Sequence, residues 1–234
     1  MRRYQTLLFD VDDTLLDFHA AQDQALDRLF DSVGIAPTTT VKTAYATYNQ
    51  SLWEKLEKGE LTRDELMATR FPTFFKEYFQ KELPNNSLNE RYLNFLAEGH
   101  QEVEGAKALL ENLNARGYEL YIVTNGVRFI QEKRLRAAKF THYFKDVFVS
   151  ETLGAQKPSP LFFERAFAQI KDFDKEHALI IGDSLSSDML GGQNAGIDTL
   201  WYNPKKQTAT PDLKIDWEVD SLAQVEKILA QDLK

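Results

Sequence analysis

The chain contains no cysteine. Disulfides, thiolate nucleophiles and cysteine-built metal centres are thereby excluded. No stretch approaches the roughly 20 consecutive apolar residues of a membrane span. The opening Met1-Arg2-Arg3-Tyr4 runs straight into a short apolar segment that ends in acids, too short for the core of a signal peptide. The expectation is a soluble, cytoplasmic protein with no membrane partner. Basic residues are also in deficit, and the formal net charge is -8. No basic run offsets it, so a nucleic acid polymer would be repelled by most of the surface. A small anion is a different matter, because a few cations can dominate inside a cleft. Internal repeats and low-complexity segments are absent as well.

What is present is ordinary globular material: 43% hydrophobic and 27% charged residues over 234 positions. That suffices for one sizeable domain, or a core carrying a smaller insert. Short apolar runs stand at Tyr4 to Phe9, Leu120 to Val123, Val147 to Val149, Ala178 to Ile181 and Thr199 to Tyr202. Near-continuous apolar runs of this length suit strands buried on both faces of a parallel sheet. Helical patterns lie between them. Leu109, Leu110 and Leu113 share a helical face that Gly117 would end. Ser159-Pro160 reads as an N-cap followed by proline in the first turn, and Ser221 with Gln224 as a capping box for the last helix. Alternating strand and helix imply an α/β fold, a doubly wound Rossmann-like parallel sheet.

Residues 17–100 differ. They contain no convincing strand, and amphipathic stretches run over Ala20 to Val33, Val41 to Leu56, Thr62 to Phe79 and Leu88 to Glu98. Thr62 and Glu65 make a plausible capping box. An insert of roughly eighty residues is too long for a loop and close to a minimal domain. The expected organisation is a core of residues 1–16 and 101–234, with an all-helical insert hinged near Asp17 and near Glu102 to Gly105. The insert is rich in aromatics, which are expected mainly to pack its own small core.

The chemistry gathers where strands end. Asp10 and Asp12 follow the first strand, and residues i and i+2 of a strand point to one side. Two carboxylates then converge at the carboxyl edge of a parallel sheet, where ligands bind in such folds. Like charges that close need a proton or a cation. With oxygen ligands alone the expected cation is Mg2+. Thr124 ends the next strand, and its hydroxyl, with main-chain amides around Asn125-Gly126, can hold an anion. Lys157 precedes Pro158, which restricts its backbone to extended geometry and directs its stem. Its ammonium is a point charge suited to phosphate. Asp183 follows Gly182 after the fourth strand, and Asp188 follows soon after; both can complete a metal site opposite Asp10. Singly, each residue has a bland explanation as a cap or a surface charge. Together, in this order and at successive strand ends, they do not.

The set Asp10-Val11-Asp12-Asp13-Thr14, Thr124-Asn125, Lys157-Pro158 and Gly182-Asp183 with Asp188 resembles the four motifs of the haloacid dehalogenase superfamily. The resemblance spans the whole chain, with the helical insert in the position of that superfamily's first-type cap. Two details depart from the commonest pattern. Asp13 stands where glycine is frequent, and Glu102 to Ala106 lacks the prolines often found before the second core strand. The resemblance implies that Asp10 is the nucleophile and forms an aspartyl phosphate. Asp12 would be the acid and then the base, while Thr124, Asn125 and Lys157 bind phosphoryl oxygens. It places Mg2+ on Asp10, the main-chain carbonyl of Asp12 and Asp183, with Asp188 either a ligand or a support through water. Asp12 also separates branches, since dehalogenases attack carbon and need no acid there. The branch most similar to this chain hydrolyses nucleoside 5'-monophosphates, often pyrimidine ones. The partner is then a small-molecule phosphate ester. A sugar-phosphate or phosphoglycolate phosphatase, a phosphomutase and a non-catalytic binding protein are the alternatives.

Overall fold

The computed structural model describes residues 3–82 and 85–231. The chain opens with β1 (Thr6–Phe9), followed by α1 (Phe18–Asp31), α2 (Thr39–Glu57), α3 (Arg63–Phe79) and α4 (Asn85–Leu96). Next come α5 (Ala106–Ala115), β2 (Glu119–Thr124), α6 (Arg128–Ala137) and β3 (Asp146–Val149). The short α7 (Ser150–Leu153) and α8 (Pro160–Phe167) lead to β4 (Ala178–Gly182). The remainder is α9 (Leu190–Ala195), β5 (Asp198–Tyr202), β6 (Trp217–Val219) and α10 (Leu222–Gln231). Two compact units result: Met1–Asp17 with His100–Lys234, and Phe18–Gly99.

The first unit holds one six-stranded sheet in the order β3-β2-β1-β4-β5-β6, parallel throughout. All five expected strands are present. Strand alternation sorts their side chains into two cores. Leu7, Phe9, Leu120, Ile122, Leu179 and Ile181 bury on one face with Leu109, Leu110 and Leu113 of α5. Leu8, Tyr121, Val123 and Ile180 bury on the other with Phe162 and Phe163 of α8. A sheet covered on both faces needs apolar residues at every position, and this is why its strands read as unbroken apolar runs.

The order reverses between β1 and β4, the two strands in the middle of the sheet. A doubly wound sheet opens a crevice at such a point, outside the carboxyl ends of its strands. Phe9 is in register with Ile122 of β2 and Ile181 of β4, so Asp10 leaves the sheet one residue before the level of Thr124 and Asp183, at the same edge. The chain then leaves and re-enters the unit as a pinned pair. Asp17 N–H donates to Gln101 O, and Val103 N–H donates to Leu15 O.

Caps largely follow the sequence. Ser159 is the N-cap of α8 with Pro160 in its first turn, and Gly117 follows α5 with φ +74°. One expectation is corrected. Gln224 accepts from the Asp220 N–H at 3.1 Å and donates to the Asp220 carboxylate at 2.8 Å. Its side chain thus reaches Asp220, one residue before the expected Ser221, because the acid offers a reciprocal acceptor. A further element was not anticipated. The edge strand β6 spans three residues after a polar stretch, and offers no apolar run to read.

The second unit is entirely helical among its described residues. The Thr62–Glu65 capping box forms as expected at the start of α3. Phe30, Tyr45, Phe71, Phe74, Phe75 and Tyr92 are buried in one continuous set of ring contacts, Tyr45 stacking on Phe71 at 4.9 Å. Aromatic burial supplies the apolar area that so small a unit needs.

Within the first unit, α9 approaches the sheet closely at Gly192. A β-carbon there would fall 2.6 Å from methyl groups of both Ile180 and Thr199. Gly192→Ala is expected to destabilise the protein by about 1–3 kcal/mol through overpacking, read as a lowered urea midpoint at unchanged slope. An unchanged midpoint would show that α9 can move off the sheet without cost.

Candidate active site

Asp10 continues β1 past its last paired residue, and its N–H donates to Ile181 O at 3.0 Å. This fixes its backbone against β4. Its carboxylate is nearly buried and receives the Lys157 ammonium at 2.7 Å. Lys157, itself buried, also donates to Asp188 Oδ1 at 2.6 Å and to Val123 O at 2.8 Å. All three donors of one ammonium are thus committed, tying the ends of β1 and β2 to the segment after β4.

The loop that presents Lys157 is clamped from the side. Asn125 Nδ2 donates to Lys157 O, and Lys157 N–H donates to Asn125 Oδ1, each at 2.9 Å. The Lys157–Pro158 peptide is cis. The Asn125 side chain therefore positions the lysine. Thr124 is buried at the end of β2, its hydroxyl oxygen accepting from the Gly126 N–H at 3.0 Å.

Asp188 lies in a wide helical turn, Leu185–Met189, in which the Met189 N–H reaches back five residues to Ser184 O. Such π-type turns concentrate at functional sites, because the extra residue re-aims a side chain. This one turns Asp188 inward, fully buried, with Oδ2 accepting from Ser184 N–H at 3.1 Å. Gly182 makes room: a β-carbon there would sit 2.2 Å from Asp188 Oδ2. Asp183 receives the Thr14 hydroxyl at 3.4 Å, and its carbonyl accepts from Trp201 Nε1 at 2.8 Å.

Asp10, Asp183 and Asp188 bring one carboxylate oxygen each within 4.8 Å of one another. Three hard oxygen donors, Asp10 and Asp188 buried and Asp183 half-buried, in charge excess, fit a magnesium-sized cation. Asp12 extends its carboxylate elsewhere, to α6. Arg134 donates to Oδ1, and Gln131 donates to Oδ2 at 2.6 Å. Both donors were missed from sequence. Their signal is a polar pair at helical spacing on the same buried face of α6 as Ile130 and Leu135. Asp13 adopts φ +57°, a left-handed conformation that glycine and short acids tolerate best. This accounts for an aspartate at the position where the resembling family often has glycine.

Charge sets the electrostatics. Burial, with Asp188 and Asp12 nearby, pushes Asp10 up to about 8 against the pull of Lys157. Asp183 is raised well above the ordinary carboxylate value by burial and then by Asp10 and Asp188. Burial opposes the charge on Lys157, yet Asp10 and Asp188 outweigh it and raise the lysine above its usual value. The ammonium stays charged, and burial first, then the excess negative charge, lifts the acids.

Comparison with known proteins gives the same frame. The family model for haloacid dehalogenase-like hydrolases matches residues 7–202. YfnB of Bacillus subtilis is 48% identical over 98% of this chain and 97% of its own length. A crystal structure of that protein bound to magnesium superposes with a TM-score of 0.92, covering 97% of this chain and 99% of the other, at 47% identity. The pyrimidine 5'-nucleotidase PynA of Streptococcus pneumoniae is 46% identical over 86% of this chain and 84% of its own. The pyrimidine 5'-nucleotidase YjjG of Escherichia coli is 29% identical over 98% and 99%.

The raised acids give a linkage prediction. Asp10 titrates from an ordinary value of 3.8 to about 8 in the folded chain. The fold therefore binds the additional proton between those values, and the metal-free protein loses stability as pH rises through that window. A divalent cation takes the place of the proton. The rise in melting temperature on adding Mg2+ is expected to be larger near about pH 8.5 than near about pH 6. A rise that is equal at both, or larger at the lower pH, would contradict this.

Proposed function

The chain belongs to the haloacid dehalogenase-like hydrolase family, and on that premise we propose that it is a magnesium-dependent phosphatase of pyrimidine nucleoside 5'-monophosphates, acting through an aspartyl phosphate on Asp10. The observation that carries the reading is the meeting of buried Asp10, Lys157 and Asp188 with half-buried Asp183 at the switch point of the sheet. The nucleotide preference draws on the pyrimidine 5'-nucleotidases among its relatives.

Asp10 supplies the nucleophile, one carboxylate oxygen attacking phosphorus while Asp12 gives its proton to the departing ester oxygen. The P–O bond to the alcohol breaks and an Asp10–phosphate bond forms. Asp12, now a carboxylate, takes a proton from the water that attacks the same phosphorus. Asp10 is then released together with inorganic phosphate. Thr124, the main-chain N–H of Asn125 and Lys157, which would turn one donor from its present acceptors to the substrate, hold the phosphoryl oxygens, so that positioning and fixed charge do most of the work. Asp10, the Asp12 carbonyl and Asp183 would hold Mg2+, with Asp188 binding it directly or through water. When bound, the ion neutralises charge on the transferring phosphoryl group. The helical unit, Phe18–Gly99, would act as the cap that selects the alcohol portion.

The test is phosphate release from purine and pyrimidine 5'-monophosphates, sugar phosphates and phosphoglycolate, with Mg2+ and with a chelator. The expected result is metal-dependent release concentrated on the pyrimidine nucleotides. Release from sugar phosphates instead would discard the substrate class, and release unaffected by the chelator would discard the metal. Asp10→Asn keeps side-chain volume and is expected to lower kcat on the order of 10³–10⁶-fold, in the range seen on removing other nucleophiles. A folded Asp10→Asn protein with near-full activity would overturn the mechanism.

A further inference from the structure

Asp12 differs from the other acids of the site in what holds it. Asp10 and Asp188 are buried and share Lys157, whereas the Asp12 side chain is 29% exposed. A partly exposed aspartate just past a strand end has several open rotamers. Here both of its oxygens are taken by donors from one helix face: Oδ1 by Arg134, Oδ2 by Gln131 at 2.6 Å. Those donors are rigid. Arg134 and Gln131 are each 1% exposed, and Arg134 Nη1 also donates to Gln131 Oε1 at 3.3 Å. Gln131 Nε2 lies 3.2 Å from Thr124 Oγ1 as well, joining the acid to the threonine at the end of β2. Space has been cleared for this contact, since a β-carbon on Gly126 would fall 2.2 Å from Gln131 Nε2.

Resting on the phosphatase reading above, we propose that Gln131 and Arg134 are positioning residues that hold the Asp12 carboxylate in the one rotamer from which it serves the departing ester oxygen. They touch neither phosphate nor metal in this role and act through Asp12, with Gln131 also donating to the Thr124 hydroxyl. Proton transfer depends steeply on where the carboxyl stands, so loosening the acid costs rate in proportion to how much the reaction needs a proton. In the first step, formation of the aspartyl phosphate, which kcat/KM reports, that need varies with the substrate, whereas the second step, with Asp12 as base, is common to all substrates. A nucleoside leaves as an alkoxide unless protonated, whereas p-nitrophenol leaves readily as its stable anion. A brace for the fold alone would affect both alike.

The experiment compares full-length wild type with Gln131→Leu, Arg134→Ala and Arg134→Lys, and with Asp12→Asn as the reference for lost acid catalysis. Each is assayed with Mg2+ on uridine 5'-monophosphate and on p-nitrophenyl phosphate. Gln131→Leu and Arg134→Ala are expected to lower kcat/KM on the nucleotide by about tenfold or more, part of the ~10²–10⁴-fold a positioned acid supplies. Their kcat/KM on the aryl ester should fall severalfold less, since that ester needs no proton to leave and any loss through Thr124 is common to both substrates. Arg134→Lys keeps the charge and is expected to recover part of the loss. Should the Arg134 variants fail to fold, Gln131→Leu decides alone. Equal losses on both substrates, or no loss, would overturn this inference while leaving the phosphatase reading standing. A wild type that releases phosphate from neither would overturn both.

Discussion

One buried ammonium organises this site. Lys157 sits among Asp10, Asp188 and the Val123 carbonyl with every donor used. Removing such a group from water is costly and is repaid only when its partners are close and complete. The repayment here is deliberately partial. Burial, together with a lysine that cannot neutralise Asp10, Asp183 and Asp188 at once, holds Asp10 up at about 8 and Asp183 well above its ordinary value. A pocket left short of positive charge is predisposed to take up a divalent cation and the phosphoryl group that the cation would accompany. The need for an external charge is thus built into the fold.

The sheet delivers these groups through topology rather than sequence proximity. Asp10 and Lys157 are separated by 147 positions, and only the reversal of strand order between β1 and β4 brings their segments to one edge. Local devices finish the aim. The Asn125 side chain clamps the Lys157 backbone, the wide turn at Leu185–Met189 rotates Asp188 inward, and Gly182 leaves it space. None of these touches the transferring group in the proposed reaction. They decide where the groups that do touch it stand.

Much of this was legible beforehand, for a physical reason. Strands covered on both faces must be apolar at every position, so β1 to β5 announced themselves, and with them the strand ends where Asp10, Thr124 and Asp183 stand. Motifs bound to strand ends are visible because their context is. What escaped lacks such context. The three-residue β6 has no run to detect, and Gln224 chose Asp220 over Ser221 because a neighbouring carboxylate offered a better partner. Gln131 and Arg134 looked like ordinary polar positions of a helix, since their function lies in a contact with Asp12 more than a hundred positions away. The same limit applies to Asn125, whose side chain serves Lys157. In each case sequence shows the type of group, and only the fold shows which partner it serves.

The central claim is that Asp10 carries the phosphoryl group during turnover, and chemical trapping addresses it directly. The protein would be quenched during steady-state hydrolysis, reduced with borohydride and digested for mass spectrometry. An aspartyl phosphate is reduced to homoserine, whereas an unmodified aspartate is not. The account predicts homoserine at position 10, dependent on substrate and Mg2+, with Asp12, Asp183 and Asp188 unchanged. Vigorous turnover with Asp10 never converted, or with conversion at another acid, would contradict it.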